Sequence, residues 1–178
     1  RLAGAFLPTG SPRACEACGV STIYQEFSLV PSLTATQNIF LGHESSAPGR
    51  GAARRNAMRG RACSLLAELL GETREGSMID PDRPVRELSV PERQMVEIAR
   101  ALSRESRLIL MDEPSATLTE QETARLHATV HGLRARGVGI LYISHRLEEV
   151  LTLADRVTVL RDGRRVETIP VAEATLVS

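Results

Sequence analysis

The stretch that decides the fold is "LILMDEPSATLT", residues 108–119. It opens with four apolar residues, which is typical of a strand buried in a parallel sheet. Two adjacent carboxylates, Asp112 and Glu113, follow without a gap, and Pro114 comes next. The stretch therefore predicts a buried strand that carries two negative charges at its tip.

Strands and helices alternate around this stretch. The sequence predicts strands at 19–24, 107–112, 138–143, 156–160 and 164–168, and helices at 120–136 and 146–153. Such alternation predicts crossover connections and a parallel sheet that helices cover on both faces. Gly137 comes directly after the long helix, and a glycine there is typical of a helix end.

Length and charge exclude several classes of protein. A chain of 178 residues fits one compact domain that can bury a sizeable core. Its 22 basic and 22 acidic side chains cancel, so no global charge attracts nucleic acid or anionic lipid. No apolar run approaches the ~20 residues of a membrane helix. We therefore expect neither a nucleic-acid binder nor a chain that spans a bilayer by itself.

The middle of the chain, residues 34–103, is predicted to be mainly helical. Apolar side chains recur there at helical spacing: Met58, Ala62, Leu65, Leu66 and Leu69. Five arginines crowd the start of that helix: Arg50, Arg54, Arg55, Arg59 and Arg61. We interpret them as a solvated face rather than as a phosphate-binding patch. Ser89 with Glu92, and Thr119 with Glu122, have the spacing of capping boxes, which predicts helices beginning beside them.

Three cysteines occur in the chain, at Cys15, Cys18 and Cys63. An odd number without a secretory context predicts reduced thiols. "CEAC" has the C-x-x-C spacing of redox and zinc sites, but no second Cys or His pair completes a metal site. We therefore interpret Cys15 and Cys18 as small, buried residues of a helix.

Polar side chains follow three of the predicted strands. Gln25 comes after the first strand, and Asp112 and Glu113 end the second. His145 lies just past the third. Ligands of an open parallel sheet bind beyond the carboxyl ends of its strands. We therefore expect these side chains to share one edge of the sheet.

Two adjacent carboxylates suit nucleotide hydrolysis if each has its own task. One acid can hold Mg²⁺, while the next polarises a water for attack on a phosphoryl group. A histidine and a glutamine nearby can align that water. Taken singly, Asp112 also fits a solvated acid at a strand end, and His145 also fits a residue that orients a loop. Only their joint occurrence favours hydrolysis.

Four segments together resemble the ABC transporter ATPases. They look like the Q-loop, signature motif, Walker B with D-loop, and switch-histidine segments: "YQEFSLVPSLTATQNIFLG", "ELSVPERQMVEIARAL", "LILMDEPSATLT" and "ILYISHRLEEV". They occur in the family's order, and the likeness covers about residues 11–170. Within the family, the sequence is similar to the N-terminal half of carbohydrate importers with two fused ATPase halves, of the ribose, galactose, xylose or arabinose type.

The resemblance implies an α/β fold of the P-loop NTPase class, ABC type. Its parallel sheet has helices on both faces and is joined by a helical subdomain. Residues 1–178 would form one partial ABC ATPase domain, incomplete at the N-terminus. Residues 26–103 would be the mainly helical subdomain with the signature motif, and residues 104–170 the C-terminal part of the α/β core.

The resemblance also implies roles for single residues. Gln25 would be the Q-loop glutamine that contacts Mg²⁺ and water, and Asp112 the Walker B aspartate that holds Mg²⁺. Glu113 would be the catalytic base and His145 the switch histidine. Ser89 would be the signature serine, which meets the γ-phosphate of ATP bound by the opposite ATPase domain; a helix N-terminus suits that anion.

The implied cofactors are ATP and Mg²⁺, and the implied partners are proteins. They are an integral membrane permease, a second ATPase domain and, indirectly, a periplasmic or extracellular sugar-binding protein; nucleic acid is not among them. The permease would be met by residues of the segment that runs from residue 26 to about residue 43: Glu26, Phe27, Leu29 and Val30. The chain would then lie peripherally on the cytoplasmic side of the cell membrane.

The sequence departs from the family pattern in three places. Val90 and Pro91 replace the two glycines of the common signature, and Pro91 has no amide hydrogen for a phosphate. Thr119 stands where the D-loop usually has aspartate. "GETREGS", residues 71–77, has the glycine spacing of a phosphate-binding loop, but it lacks the lysine, and the chain contains no lysine at all. We therefore expect that loop upstream of Arg1, and we expect these residues alone to bind ATP poorly and to hydrolyse none.

Two alternatives to a transport ATPase remain open. One is a non-transport ABC ATPase that acts in DNA repair or on the ribosome, although the neutral charge balance and "SHRLEEV" argue against it. The other is a degenerate half that docks on a permease without catalysis. The presence of Glu113 and His145 argues against that second alternative.

Overall fold

The computed structural model describes residues 2, 4–8, 10–70, 79–104, 106–116 and 118–174, so "GETREGS" lies outside the described residues. The helices are α1 Pro12–Ala17, α2 Ala35–Phe40, α3 Gly51–Leu70, α4 Val90–Ser103, α5 Glu120–Ala135 and α6 Leu147–Leu153. The strands are β1 Val20–Ile23, β2 Leu108–Asp112, β3 Gly139–Ile143, β4 Arg156–Arg161 and β5 Arg164–Pro170. Short 3-10 turns lie at Glu44–Ser46, Val85–Glu87 and Val171–Glu173.

Three strands form a parallel sheet in the order β1-β2-β3. Val20 pairs with Leu108, and Leu108 pairs with Gly139. Helix α5 connects β2 to β3, and Gly137, with φ of 80°, allows the chain to leave that helix. The predicted parallel sheet and the predicted helix end are thus confirmed. Strands β4 and β5 form a separate antiparallel hairpin.

The two faces of the parallel sheet differ in burial. Ile109 and Met111 are fully buried and belong to the hydrophobic core, together with Leu126 of α5. On the other face, Leu141 and Ile143 remain about half exposed. Within the described ranges, therefore, the face that carries Ile109 and Met111 is covered by helices, while the opposite face is more exposed at β3.

The helices before β2 extend the same core. The apolar stripe of α3 is buried as its periodicity predicts, with Met58, Ala62, Leu65 and Leu66 all below a tenth exposed. The loop before the 3-10 turn at Val85–Glu87 docks on α2, because Pro81 O accepts hydrogen bonds from Thr36 N at 2.9 Å and Thr36 Oγ1 at 3.0 Å. This packing fixes the segment that precedes α4.

The prediction that Cys15 and Cys18 are buried was wrong. Cys15 is only half-buried in α1, and Cys18 is exposed at the end of that helix. Helix α1 is short and contains no buried residue, since it lies at the surface beside β1. All three cysteines are free thiols, as predicted, and no group of three or more metal-ligand side chains occurs in the described part of the chain.

No helix among the described residues has both the length and the apolar character needed to cross a bilayer.

Candidate functional site

The parallel register brings the carboxyl ends of three strands to one edge. Ile23 at the end of β1 pairs with Met111, and Asp112 at the end of β2 pairs with Ile143. Gln25 and His145 each follow their strand by two residues. The residues predicted from the strand ends therefore follow neighbouring strands at the same sheet edge.

Glu113 sits on a strained turn at the tip of β2. Its backbone φ is 46°, which is uncommon for any residue other than glycine. Its amide donates to Ile143 O at 2.9 Å, and its carbonyl accepts from Ala116 N at 3.1 Å. These two bonds hold the backbone in the left-handed region and turn the chain away from the sheet. Such strain is concentrated at functional sites in proteins.

The structure brings the side chains of Glu113 and His145 into contact. His145 Nδ1 lies 3.0 Å from Glu113 Oε1. The Glu113 side chain is 28% exposed and that of His145 is 71% exposed. Because an ionised carboxylate only accepts hydrogen bonds, Nδ1 carries the proton in this contact. Among the described residues, the other carboxylate oxygen of Glu113 and the Nε2 atom of His145 make no hydrogen bond, so both can meet other groups.

Gln25 and Asp112 lie at the same edge of the sheet, and their side chains make no hydrogen bond to the described residues. Gln25 is exposed, and Asp112 is partly buried at the end of β2. Amide and carboxylate oxygens are ligands that Mg²⁺ takes in proteins. Magnesium typically takes only one or two carboxylates from the protein, so these two side chains fit that ion.

Ser89 makes no hydrogen bond to Gln25, Asp112, Glu113 or His145. It is the N-cap of α4, and its hydroxyl accepts a hydrogen bond from Glu92 N, while its amide donates to Glu92 Oε2 at 2.7 Å. The predicted capping box is thus present, with Pro91 in the first helical turn. Within the described residues, the hydrogen bonds of Ser89 are all local to α4.

The four residues predicted to meet a permease differ in exposure. Glu26 is exposed and Val30 is partly buried. Leu29 is buried in the core and Phe27 packs against that core, so neither offers a free apolar side chain. The assignment of this segment to a permease interface stays a prediction, in which Leu29 would support the segment from the core side. Both a core and an interface favour leucine, and the sequence pattern alone does not separate them.

Two buried carboxylates near the site were missed in the sequence. Glu97 of α4 accepts from Ser28 N at 2.7 Å, three residues after Gln25. Glu149 of α6 is 5% exposed and lies four residues after His145. Its position four residues before buried Leu153 places it on the inward stripe of α6, and this spacing is the signal that could have identified it.

Comparison with known sequences identifies the family. The family model described as "ABC transporter" matches residues 12–116. Arabinose import ATP-binding protein AraG 2 of Burkholderia thailandensis is 47% identical over 169 residues, which make up 94% of this chain and 30% of that protein. Ribose import ATP-binding protein RbsA 1 of Streptomyces avermitilis is 45% identical over 183 residues, 95% of this chain and 33% of that protein. The chain spans about a third of the length of these relatives.

Solved structures agree with this at the level of the fold. The ATP-binding cassette MJ0796, in a dimeric post-hydrolysis state bound to ADP and phosphate, superposes with a TM-score of 0.69 over 89% of this chain and 66% of that chain, at 23% identity. The ADP conformation of the cassette MJ1267 gives a TM-score of 0.68 at 24% identity, over 89% of this chain and 63% of that chain. Fold, motif order and sequence identity agree, and the chain belongs to the ABC transporter family.

Proposed function

We propose that this chain carries the catalytic base and the switch histidine of an ATPase that drives monosaccharide import. The contact between Glu113 Oε1 and His145 Nδ1, at 3.0 Å, is the observation that carries the proposal. It joins a general base to an imidazole at the sheet edge where α/β proteins bind ligands. The relatives named for arabinose and ribose import support the monosaccharide as cargo.

Glu113 acts as the base toward the attacking water. His145 uses Oε1 of the carboxylate, so the other oxygen can accept a proton from water. His145 orients the carboxylate through Nδ1 and presents Nε2 away from it. In the imidazolium form both ring nitrogens carry a proton, so Nε2 can donate to a phosphoryl oxygen while Nδ1 donates to Glu113, and this side chain then responds to the presence of that group.

Gln25 and Asp112 would hold Mg²⁺, in part through water. When bound with ATP, this ion neutralises charge on the transferred phosphoryl group. Ser89 would act at a second ATPase domain. Its place at the start of α4 supports that role, because the partial positive charge of a helix N-terminus favours a phosphate.

The partner proteins follow from the same proposal. The chain would lie on the cytoplasmic side of the membrane and contact a permease through the exposed part of the segment that begins at Glu26. Buried Leu29 and partly buried Phe27 would support that segment from below. A sugar-binding protein would deliver the cargo to the permease without contacting this chain.

The test is hydrolysis of Mg-ATP by the full-length gene product that contains these residues. Glu113→Gln should lower kcat by about 10²- to 10⁴-fold, the usual contribution of a general base. Asp162→Asn is the matched control, because Asp162 also has a left-handed backbone, with φ of 50°, but lies in the β4–β5 hairpin. Its activity should stay at the wild-type value. Equal rates for wild type and Glu113→Gln would rule out the proposed role of Glu113.

A further inference from the structure

Glu149 is a buried carboxylate that takes no part in the catalytic steps proposed above. A buried charge is costly unless ion pairs and hydrogen bonds compensate it. The partners of the Glu149 carboxylate are Ser115 Oγ at 2.6 Å, Tyr142 Oη at 3.0 Å, Ser144 Oγ at 3.4 Å and Arg146 Nη1 at 2.6 Å. Three hydroxyl donors and one guanidinium thus converge on one carboxylate.

These partners come from the two segments that bear the proposed catalytic pair. Ser115 lies two residues after Glu113, in the turn that follows β2. Ser144 and Arg146 are the immediate neighbours of His145 in the chain. Glu149 therefore contacts the segment of the base on one side and the segment of the histidine on the other.

The direct contact between Glu113 and His145 is poorly suited to fix this geometry. It is one hydrogen bond, and the His145 side chain is 71% exposed, so water competes with it. Glu149 and Ser115 are both buried, and a charge-assisted hydrogen bond in such surroundings is stronger than an exposed one. The hydrogen bond between Ser115 and Glu149 is thus a firmer link between the two segments than the exposed contact between Glu113 and His145.

The ionisation of the cluster agrees with this role. Burial raises the pKa of Glu149, but hydrogen bonds from Ser115 and Tyr142 and the charge of Arg146 outweigh it and leave that pKa below the usual carboxyl value. Burial, together with the negative charge of Glu149, raises the pKa of Tyr142 to about 12, although a hydrogen bond with Ser115 opposes that rise. Near neutral pH, Glu149 is therefore an acceptor and the Tyr142 hydroxyl is a donor.

We propose that Glu149 is a positioning residue, which holds the His145 segment against the Glu113 segment through Ser115, Ser144 and Arg146. The proposal rests on the proposed function, in which Glu113 and His145 act on the same reacting group. Glu149 touches neither nucleotide nor water in that scheme. Its loss should therefore disturb the alignment of the pair while leaving the binding of nucleotide nearly intact.

The first experiment measures alignment in the full-length gene product without any catalytic assay. Replacement Glu113→Gln should move the Nδ1 resonance of ¹⁵N-labelled His145, because Nδ1 contacts that carboxylate. The same replacement in a Glu149→Gln background should move it much less. Glu148→Gln is the matched control: its side chain is exposed on the same helix, and the full shift should persist there. An equal shift in the Glu149→Gln background would overturn the proposal.

Ser115→Ala keeps the result interpretable if Glu149→Gln fails to fold. It removes one hydroxyl and leaves the carboxylate with Tyr142, Ser144 and Arg146. A reduced shift of His145 is again expected, and an unchanged shift would contradict the proposal.

The second experiment measures kinetics in the full-length gene product. Glu149→Gln should lower kcat by up to about 10²-fold, the cost of a small misplacement of catalytic groups, with KM for ATP unchanged. Unchanged kcat in an active enzyme would refute the positioning role. If Glu113→Gln did not lower the hydrolysis rate of the enzyme, the proposed function would be refuted instead. The His145 resonance would still decide whether Glu149 aligns the pair.

Discussion

His145 Nδ1 lies 3.0 Å from Glu113 Oε1, although the two residues are 32 positions apart in the chain. Backbone pairing produces this contact. Asp112 is in register with Ile143, and Glu113 N donates to Ile143 O at 2.9 Å, so each side chain leaves its strand at a fixed place. The left-handed φ of Glu113 is part of the same arrangement. Its backbone can therefore be tested separately from its chemistry.

At the strained turn, a glycine variant should be more stable than an alanine variant, which reverses the usual order of stability. At position 113, with φ of 46°, Glu113→Gly should be more stable than Glu113→Ala by about 1 kcal/mol, because alanine is disfavoured in the left-handed region. Urea unfolding of the two variants measures the difference. Exposed Arg125 inside α5 is the control, where alanine should be more stable than glycine by about 1 kcal/mol. The same order at both positions would mean that the turn is not strained.

The strand ends were predictable because two independent signals coincide there. Aliphatic runs mark the buried strands, and polar residues follow at once, as at Asp112 and His145. The sequence also predicts the capping box at Ser89, because that device depends on spacing within one turn.

Burial of single side chains was less predictable. Glu148 and Glu149 are adjacent and identical, yet one is exposed and the other is 5% exposed. Their difference comes from the rotation of α6 against Ser115 and Tyr142, which belong to other elements. The sequence did not reveal Leu29 as a core residue for the same reason: tertiary packing decides which side of a loop faces inward.

The two capping boxes allow a structural effect of Ser89 to be separated from a functional one. Ser89→Ala and Thr119→Ala each remove an N-cap side chain, in α4 and α5 respectively, and each should cost about 1 kcal/mol of stability. Only Ser89→Ala should also lower Mg-ATP hydrolysis by the full-length gene product, because Ser89 is proposed to meet a phosphate. Thermal unfolding and phosphate release measure the two effects. Equal activity losses in the two variants would argue that capping alone explains Ser89.

Glu97 should prove necessary for the segment that follows Gln25. Its buried carboxylate accepts from Ser28 N at 2.7 Å and Ser28 Oγ at 3.0 Å. Glu97→Ala would leave the Ser28 amide without this partner, at a cost of about 1–3 kcal/mol. Glu97→Gln keeps an acceptor and should cost less. Denaturant unfolding gives both values, and faster hydrogen exchange of the Ser28 amide in Glu97→Ala alone would locate the effect; slow exchange in both variants would refute this account.

The contribution of Glu149 to stability should depend on pH with a definite sign. Its pKa in the folded chain lies below the usual carboxyl value of about 4.3. Between those two pKa values the unfolded chain binds more protons, so the stabilisation is fully present above about pH 4.3 and is lost as pH falls through the lower value. His127 of α5 also faces this carboxylate and helps to lower its pKa.

Urea unfolding of wild type and Glu149→Gln across a series of pH values tests that sign. The difference in unfolding free energy between them should be largest near neutral pH and should shrink below about pH 4.3, where protonated Glu149 resembles glutamine in charge and shape. Ser115→Ala removes one donor to the carboxylate. The difference in unfolding free energy between Ser115→Ala and the double variant Ser115→Ala/Glu149→Gln should therefore vary less with pH. The two comparisons, with and without Ser115→Ala, are repeated in a His127→Gln background, which removes the second titrating group near Glu149. A difference that stays constant over the whole series would mean that the ionised carboxylate contributes nothing to holding the two loops together.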